Sequence, residues 1–387
     1  MTLDIQGTYI KNLLVVRFIV QVTIRRNRSM HWKQNVALAF MKTSRATFSP
    51  DMMHATARKT PTRIAIQQYC EKKGISHEIK TLDHSSSSSL KDVKIPPPVK
   101  HFVTPPSAPS DGPTLLYFHG GGYVNPLRAI GHMPFILRLA EAAKAKKVVL
   151  LEYALAPEHT YPTQLVQAVA GLRHLLEDHQ LKPEEIIIGG DSAGGQLAGS
   201  LLAHIAHPSP YADPIDLKGG KLKAVLFVSP WASLQDPDDV SGHANDDKDY
   251  LTTAQGMRFQ QLWNPKLDEV WANLGGKEHV TKPTPRIQEA WEQVFDEQNG
   301  VVGKAMVTVG TDEILLDACS DFARECVPKA EKVTVDWGTD FRSVFEGKDF
   351  VFAECVGEAH VQPALDAALG YGEGKMMRAI LAWLGGL

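Results

Sequence analysis

The chain has 387 residues, 43% of them hydrophobic and 22% charged, with a formal net charge of −3. That length supports one large core plus a smaller covering layer, and the near-neutral balance gives no electrostatic case for nucleic-acid binding. Cys70, Cys319, Cys326 and Cys355 show no CxxC or metal-like spacing, so reduced, packed thiols are expected, with neither a disulfide framework nor a zinc site.

In chain order, the N-terminus is the unusual region. The apolar run from Tyr9 to Ile24 is interrupted by Lys11, Asn12, Arg17 and Gln21, which is too polar for a membrane span and a poor match to a signal peptide. Before residue 51 the bases Lys11, Arg17, Arg25, Arg26, Arg28, Lys33, Lys42 and Arg45 face a single acid, Asp4. A basic amphipathic segment of this kind is able to lie on an anionic membrane surface. His77–Leu82 and Lys100–Thr104 read as early strands, with exposed loops at Ser85–Ser89 and Pro96–Pro98 between them.

The next strand carries chemistry. Leu115-Leu116-Tyr117-Phe118 runs into His119-Gly120-Gly121-Gly122-Tyr123, and three consecutive glycines let backbone N–H groups turn into a cavity and donate to an oxyanion. Val148–Tyr153 is a further strand and Ala168–Glu177 a helix. Then Ile186-Ile187-Ile188, a buried strand, meets Gly189-Gly190-Asp191-Ser192-Ala193-Gly194-Gly195, and a helical pattern follows from Gln196 to Ile205. Strand, sharp turn and helix with Ser192 at the apex form a nucleophile elbow, whose helix N-terminus aims free N–H groups and a positive dipole end at the serine oxygen. A lone GxSxG reads more simply as a helix cap in a glycine-rich loop; its pairing with the triple glycine argues against that.

Beyond Leu222–Val228 the strand–helix alternation fails between Asp236 and Gln298, a stretch holding Trp263, Trp271 and Trp291. An insertion there would form a lid, with most of these tryptophans packing it onto the core. Alternation resumes with the strand Lys304–Val309, the helix Leu315–Cys326, the strand Phe350–Val356 and the helix Gly374–Leu384, which implies a mostly parallel sheet with helices on both faces.

His119-Gly-Gly-Gly122, Gly190-Asp-Ser-Ala-Gly194 and the intervening Glu152-Tyr-Ala-Leu-Ala-Pro-Glu158-His159 resemble the hormone-sensitive-lipase-like branch of the α/β-hydrolases, from about residue 115 to the C-terminus. The resemblance is weak before residue 60 and across 235–300 and 328–349. It implies an α/β-hydrolase fold with an eight-stranded, mostly parallel sheet and a helical cap. The segments would be an N-terminal cap segment at 1–75, core at 76–234, a lid insertion at 235–298 and core again at 299–387. The N-terminus then has two readings, a cap over the site or a membrane-surface segment, and the cap is preferred.

A serine hydroxyl needs a base, and this fold orders serine, acid, histidine along the chain. His360, in Gly-Glu-Ala-His after the last strand, resembles the family's histidine loop, while His119 takes the place that holds the oxyanion loop. The family's Asp-Pro-Leu-x-Asp corresponds here to Glu313-Ile-Leu315-Leu-Asp317, which places Glu313 at the acid position, with Asp312 as the alternative. Asp317 would start a helix or brace the loop, and Asp191 and Glu158 would position loops. Gly121, Gly122 and Ala193 would donate to the oxyanion, and Tyr123 would shape the substrate pocket.

The implied activity is that of a serine carboxylesterase acting on short acyl, especially acetyl, esters of a small hydrophobic or secondary-metabolite alcohol. No metal, organic cofactor or nucleic acid is called for, and a cytoplasmic location is expected. An acyltransferase or cyclase on the same scaffold, or a receptor that has lost catalysis, are the alternatives; an intact His360 weighs against the receptor.

Overall fold

The structure is a computed structural model that describes residues 14–21, 29–48, 50–82, 95–234, 240–275, 285–327 and 329–387. The expected loop at Ser85–Ser89 lies outside the described residues. Among the described residues nine strands form one sheet in the order β1-β2-β4-β3-β5-β6-β7-β9-β8. The strands are β1 (His77–Thr81), β2 (Val99–Val103), β3 (Thr114–Phe118), β4 (Lys147–Glu152), β5 (Ile186–Asp191), β6 (Ala224–Val228), β7 (Ala305–Gly310), β8 (Glu331–Val335) and β9 (Phe350–Cys355). β2 pairs antiparallel with both β1 and β4, and every other pairing is parallel.

The expected count of eight is therefore corrected to nine. The additional strand is β8, which pairs only with β9 at the sheet edge. Its sequence, Glu-Lys-Val-Thr-Val, buries only Val333 and Val335. A charged, half-exposed edge strand lacks the continuous apolar run that marks the central strands. Those central strands, β3, β5, β6 and β7, are buried at every position, because helices cover both faces of the sheet.

One face packs against α6 (Thr163–Glu177), α7 (Ala193–Ala206) and α11 (Leu316–Cys326), and the other against α5 (Ala129–Ala142) and α13 (Lys375–Gly385). All four cysteines are buried thiols within these layers. Trp263, Trp271 and Trp291 are each at most 2% exposed and belong to the first of these cores, so they pack against it. The stretch expected to form a lid supplies α8 (Val240–Asn245), α9 (Thr253–Trp263) and α10 (Pro285–Val294). Trp263 Nε1 donates to Gln164, Trp271 Nε1 to His207 O and Trp291 Nε1 to Leu274 O, so these three buried indoles each keep a hydrogen bond.

At the N-terminus residues 14–21 form α1, followed by α2 (Trp32–Thr47), α3 (Pro50–Ala57) and α4 (Thr62–Lys73). α2 is amphipathic: Gln34, Leu38, Ala39 and Thr43 are buried, whereas Trp32 and Phe40 are exposed. Among the described residues no helix is long and apolar enough to cross a membrane.

What the fold delivers to the site is one shared edge. In the parallel pairing of β3 with β5, Phe118 lies opposite Gly190, and in that of β7 with β9, Gly310 lies opposite Cys355. The loops that follow β3, β5, β7 and β9 thus leave the sheet together at its C-terminal edge, where open α/β sheets hold their ligands.

Candidate active site

Ser192 sits between β5 and α7 with φ 55° and ψ −121°, a strained conformation for a residue with a side chain. The turn is held by Ser192 N donating to Val228 O at 2.9 Å and Trp231 N donating to Ser192 O at 3.0 Å. The start of α7 lies so close to the end of β3 that a Cβ on Gly194 would lie 2.0 Å from Phe118 O, which is why glycine stands there. Ser192 is 9% exposed, so its hydroxyl lies at the floor of the site.

His360 follows β9 across Gly357-Glu358-Ala359. Its Nε2 lies 2.9 Å from Ser192 Oγ, and its Nδ1 lies 3.0 Å from Glu313 Oε2. Glu313, in the loop after β7, is fully buried, and its other oxygen accepts from Ser229 Oγ and Gly310 N, both at 2.6 Å. These two donors fix the carboxylate, so Oε2 has one orientation left, toward the imidazole. Burial alone would lower the His360 pKa. The bond and charge of Glu313, with the charges of Asp249 and Asp191, outweigh it and hold the pKa above its ordinary value.

The structure brings Ser192, His360 and Glu313 into one chain of hydrogen bonds. Asp312 is half-buried beside them, its N–H donating to Glu358 O at 3.1 Å; the carboxylate on the imidazole belongs to Glu313. Asp317 falls in the first turn of α11. Such an arrangement can move a proton from a serine hydroxyl to an imidazole and stabilise the resulting imidazolium.

The loop after β3 faces this serine. Gly121 and Gly122 have φ of 122° and 63°, and Phe259 of α9 covers Gly122 closely enough that a Cβ there would meet its ring at 2.4 Å. The N–H groups of Gly121, Gly122 and Ala193 have no hydrogen-bond partner among the described residues, and so remain available as donors. Asp191 braces the loop. Its carboxylate accepts from Gly120 N at 3.0 Å, from Tyr117 at 2.9 Å and from His132 at 3.3 Å. Burial would raise the Asp191 pKa, but His132 and Tyr117 bring it below the ordinary value.

His119 is buried, its ring stacked on Tyr153 with centroids 4.5 Å apart and its Nδ1 2.7 Å from Gly120 O. Burial pushes its pKa down to about 4, so the ring is neutral and serves the loop's geometry. Tyr123 is also buried, with its hydroxyl on Gln196 and its ring stacked on Trp263 at 4.3 Å. It forms part of the aromatic wall behind the glycine loop. Glu158 pairs with Arg58 at 2.5 Å, tying the N-terminal region to the core.

Several site residues escaped the sequence reading. Ser229, at the C-terminal end of buried β6, could have been suspected from a polar residue ending an apolar strand on this edge. Asp249, Asn245 and His132 carry no such signal.

Comparison with known proteins shows the family. Residues 115–339 match the family model of the α/β-hydrolase fold. The chain belongs to that family. It is 30% identical over 217 residues to a putative acetyl-hydrolase, LipR, of Mycobacterium tuberculosis, covering 56% of this chain and 60% of that protein. It is 28% identical over 222 residues to an esterase of Acinetobacter venetianus, covering 57% of this chain and 62% of that protein. The match thus spans about three fifths of the length of these relatives. An esterase of the bacterial hormone-sensitive lipase family superposes with a TM-score of 0.60 at 22% identity, covering 92% of this chain and 98% of that one. A thermostable esterase from Pseudomonas putida gives a TM-score of 0.62 at 16% identity, covering 90% and 94%. Both show the fold.

Proposed function

We propose that the protein is a serine carboxylesterase that cleaves short acyl esters, acetates in particular, of a small hydrophobic alcohol. The observation that carries this reading is the continuous Ser192–His360–Glu313 hydrogen-bond chain beside three backbone N–H groups that have no partner among the described residues. In this reading Ser192 Oγ attacks the ester carbonyl while His360 Nε2 takes its proton. Gly121, Gly122 and Ala193 receive the developing oxyanion, each such donor stabilising the transition state by ~3 kcal/mol. His360 then protonates the leaving alcohol and later activates the water that releases the acyl group.

The short-acyl preference is supported by the wall beside the glycine loop. Tyr123, Trp263 and Trp231 are all nearly inaccessible, the Trp263 ring touches both of the others, and Phe259 leans on Gly122. A relative named acetyl-hydrolase points the same way. Across a p-nitrophenyl ester series, kcat/KM is expected to be highest for the acetate and to fall steadily toward the decanoate. A maximum at the decanoate would overturn the acyl assignment without touching the esterase reading.

We also propose that the N-terminal helices cover the site and are not a lipid anchor. α2 reaches the histidine loop through Gln34, whose Nε2 donates to Glu358 at 3.0 Å and to Asp366 at 2.8 Å. Lys42 reaches the lid at Asp246 O, 2.8 Å away. The full chain should therefore stay in the supernatant when spun with phosphatidylserine vesicles at physiological salt. Sedimentation with them would instead assign the exposed Val15, Val16, Ile19 and Val20 of α1 to a membrane surface.

A further inference from the structure

The turn between α8 and α9 makes contacts that its own folding does not require. Asn245, the last residue of α8, and Asp249 in the turn that follows are both buried, at 3% and 0% exposure. Asn245 Nδ2 donates to Glu313 O at 2.7 Å and to Thr311 O at 3.1 Å. Asp249 Oδ2 accepts from Ile314 N at 3.0 Å. The peptide unit that joins Glu313 to Ile314 is therefore held at its carbonyl by one lid side chain and at its N–H by another. The second oxygen of Asp249 accepts from His360 N at 3.3 Å, besides Tyr250 N at 2.6 Å and Leu251 N at 3.3 Å of its own turn. One carboxylate thus spans the loop after β7 and the loop after β9.

A carboxylate that only closed its own turn would need the Tyr250 and Leu251 donors and no more, and would sit at the surface. Burying it is costly, and the cost is offset only by satisfying its lone pairs with donors from both loops. Burial pushes the Asp249 pKa up to about 6, so it carries its charge at neutral pH. The groups that face it are His360 and Glu313 from the core loops, Tyr250 on its own segment, and Arg45 of α2, whose guanidinium lies 4.9 Å from the Tyr250 ring centre.

We propose that Asp249, assisted by Asn245, is a positioning residue through which the lid sets the geometry of the acid and base. It locks the Glu313 and His360 backbones to one another and adds a negative charge that favours the imidazolium. This rests on the esterase reading for its kinetic consequence, but not for its electrostatic one.

The sign of the pH effect follows. Hydrolysis needs neutral His360, so activity rises as pH climbs through the His360 pKa. Asp249 holds that pKa up, and removing its charge must move the rising limb to lower pH. In Asp249→Asn, kcat for p-nitrophenyl acetate should fall ~100-fold, the cost of a misplacement of order 1 Å, with KM changed less than about threefold. The rising limb of kcat/KM, and the His360 imidazole titration read by NMR, should both shift to lower pH. Asp249→Glu, which restores the charge on a longer arm, should return the titration toward wild type while kcat stays low. Asn245→Ala, which loosens only the Glu313 carbonyl, should lower kcat with the titration unmoved. An unchanged His360 titration in Asp249→Asn, or an unchanged kcat, would overturn the proposal; the first would reduce Asp249 to a folding contact. If the wild type hydrolyses no ester, the esterase reading fails, and the NMR titration still decides the electrostatic claim.

Discussion

Replacing Ser192 by alanine should abolish nearly all hydrolysis of p-nitrophenyl acetate, by at least ~10⁴-fold in kcat, with the fold intact. The size of the effect follows from the position of the hydroxyl. It is the one group that both contacts His360 Nε2, at 2.9 Å, and stands at the strained apex beneath the Gly121 and Gly122 donors. Alanine keeps the backbone and removes only the oxygen, and a smaller side chain adds no clash to the turn. Residual turnover should come from the oxyanion donors and binding alone, and should no longer show the acid limb set by His360. Wild-type turnover in this variant would place the chemistry elsewhere.

Glu313→Gln should lower kcat by ~10³- to 10⁴-fold. Gly310 N–H and the Ser229 hydroxyl both donate to Glu313 Oε1, and the backbone donor cannot turn around. The glutamine must therefore keep its carbonyl oxygen there and present its amide NH₂ to His360 Nδ1. Two donors cannot face each other, so the imidazole would move its proton to Nε2, the nitrogen that must accept from Ser192. The variant is thus trapped in the wrong tautomer and has also lost the charge that stabilises the imidazolium. Asp312→Asn leaves this contact untouched and should cost about half a kcal/mol or less. A severe loss in Asp312→Asn with a mild one in Glu313→Gln would exchange the two roles.

The parts of this site that could be read from sequence are those whose physics is local. An apolar β-branched run ending in glycine, serine and glycine encodes strand, turn and helix within a dozen residues, and β5 and α7 form where that pattern places them. The same holds for the triple glycine after β3 and the histidine just past β9. Glu313 was legible only through its register with Leu315 and Asp317. Its burial beneath Ser229 and Gly310 depends on β6 and β7 lying side by side.

What escaped notice is non-local or weakly patterned. β8 alternates two valines with charged or polar residues at an edge. α5 carries Gly131 and Pro134 within its span, which masks the helical period. Asp249 stands among Asp246, Asp247 and Lys248, a run that reads as solvated surface. Only the three-dimensional packing of this segment shows that Asp249 is buried and that Asp246, Asp247 and Lys248 are not.

The most direct test of the central claim is labelling of the purified full chain with a fluorophosphonate probe, followed by mass mapping of the modified peptide. Such a probe reacts only with a serine activated by a base and an oxyanion hole, and it requires no knowledge of the natural ester. Stoichiometric modification at Ser192, abolished in Ser192→Ala and strongly slowed in Glu313→Gln, is the result expected. An unlabelled wild-type protein, or a label on any other residue, would contradict the account.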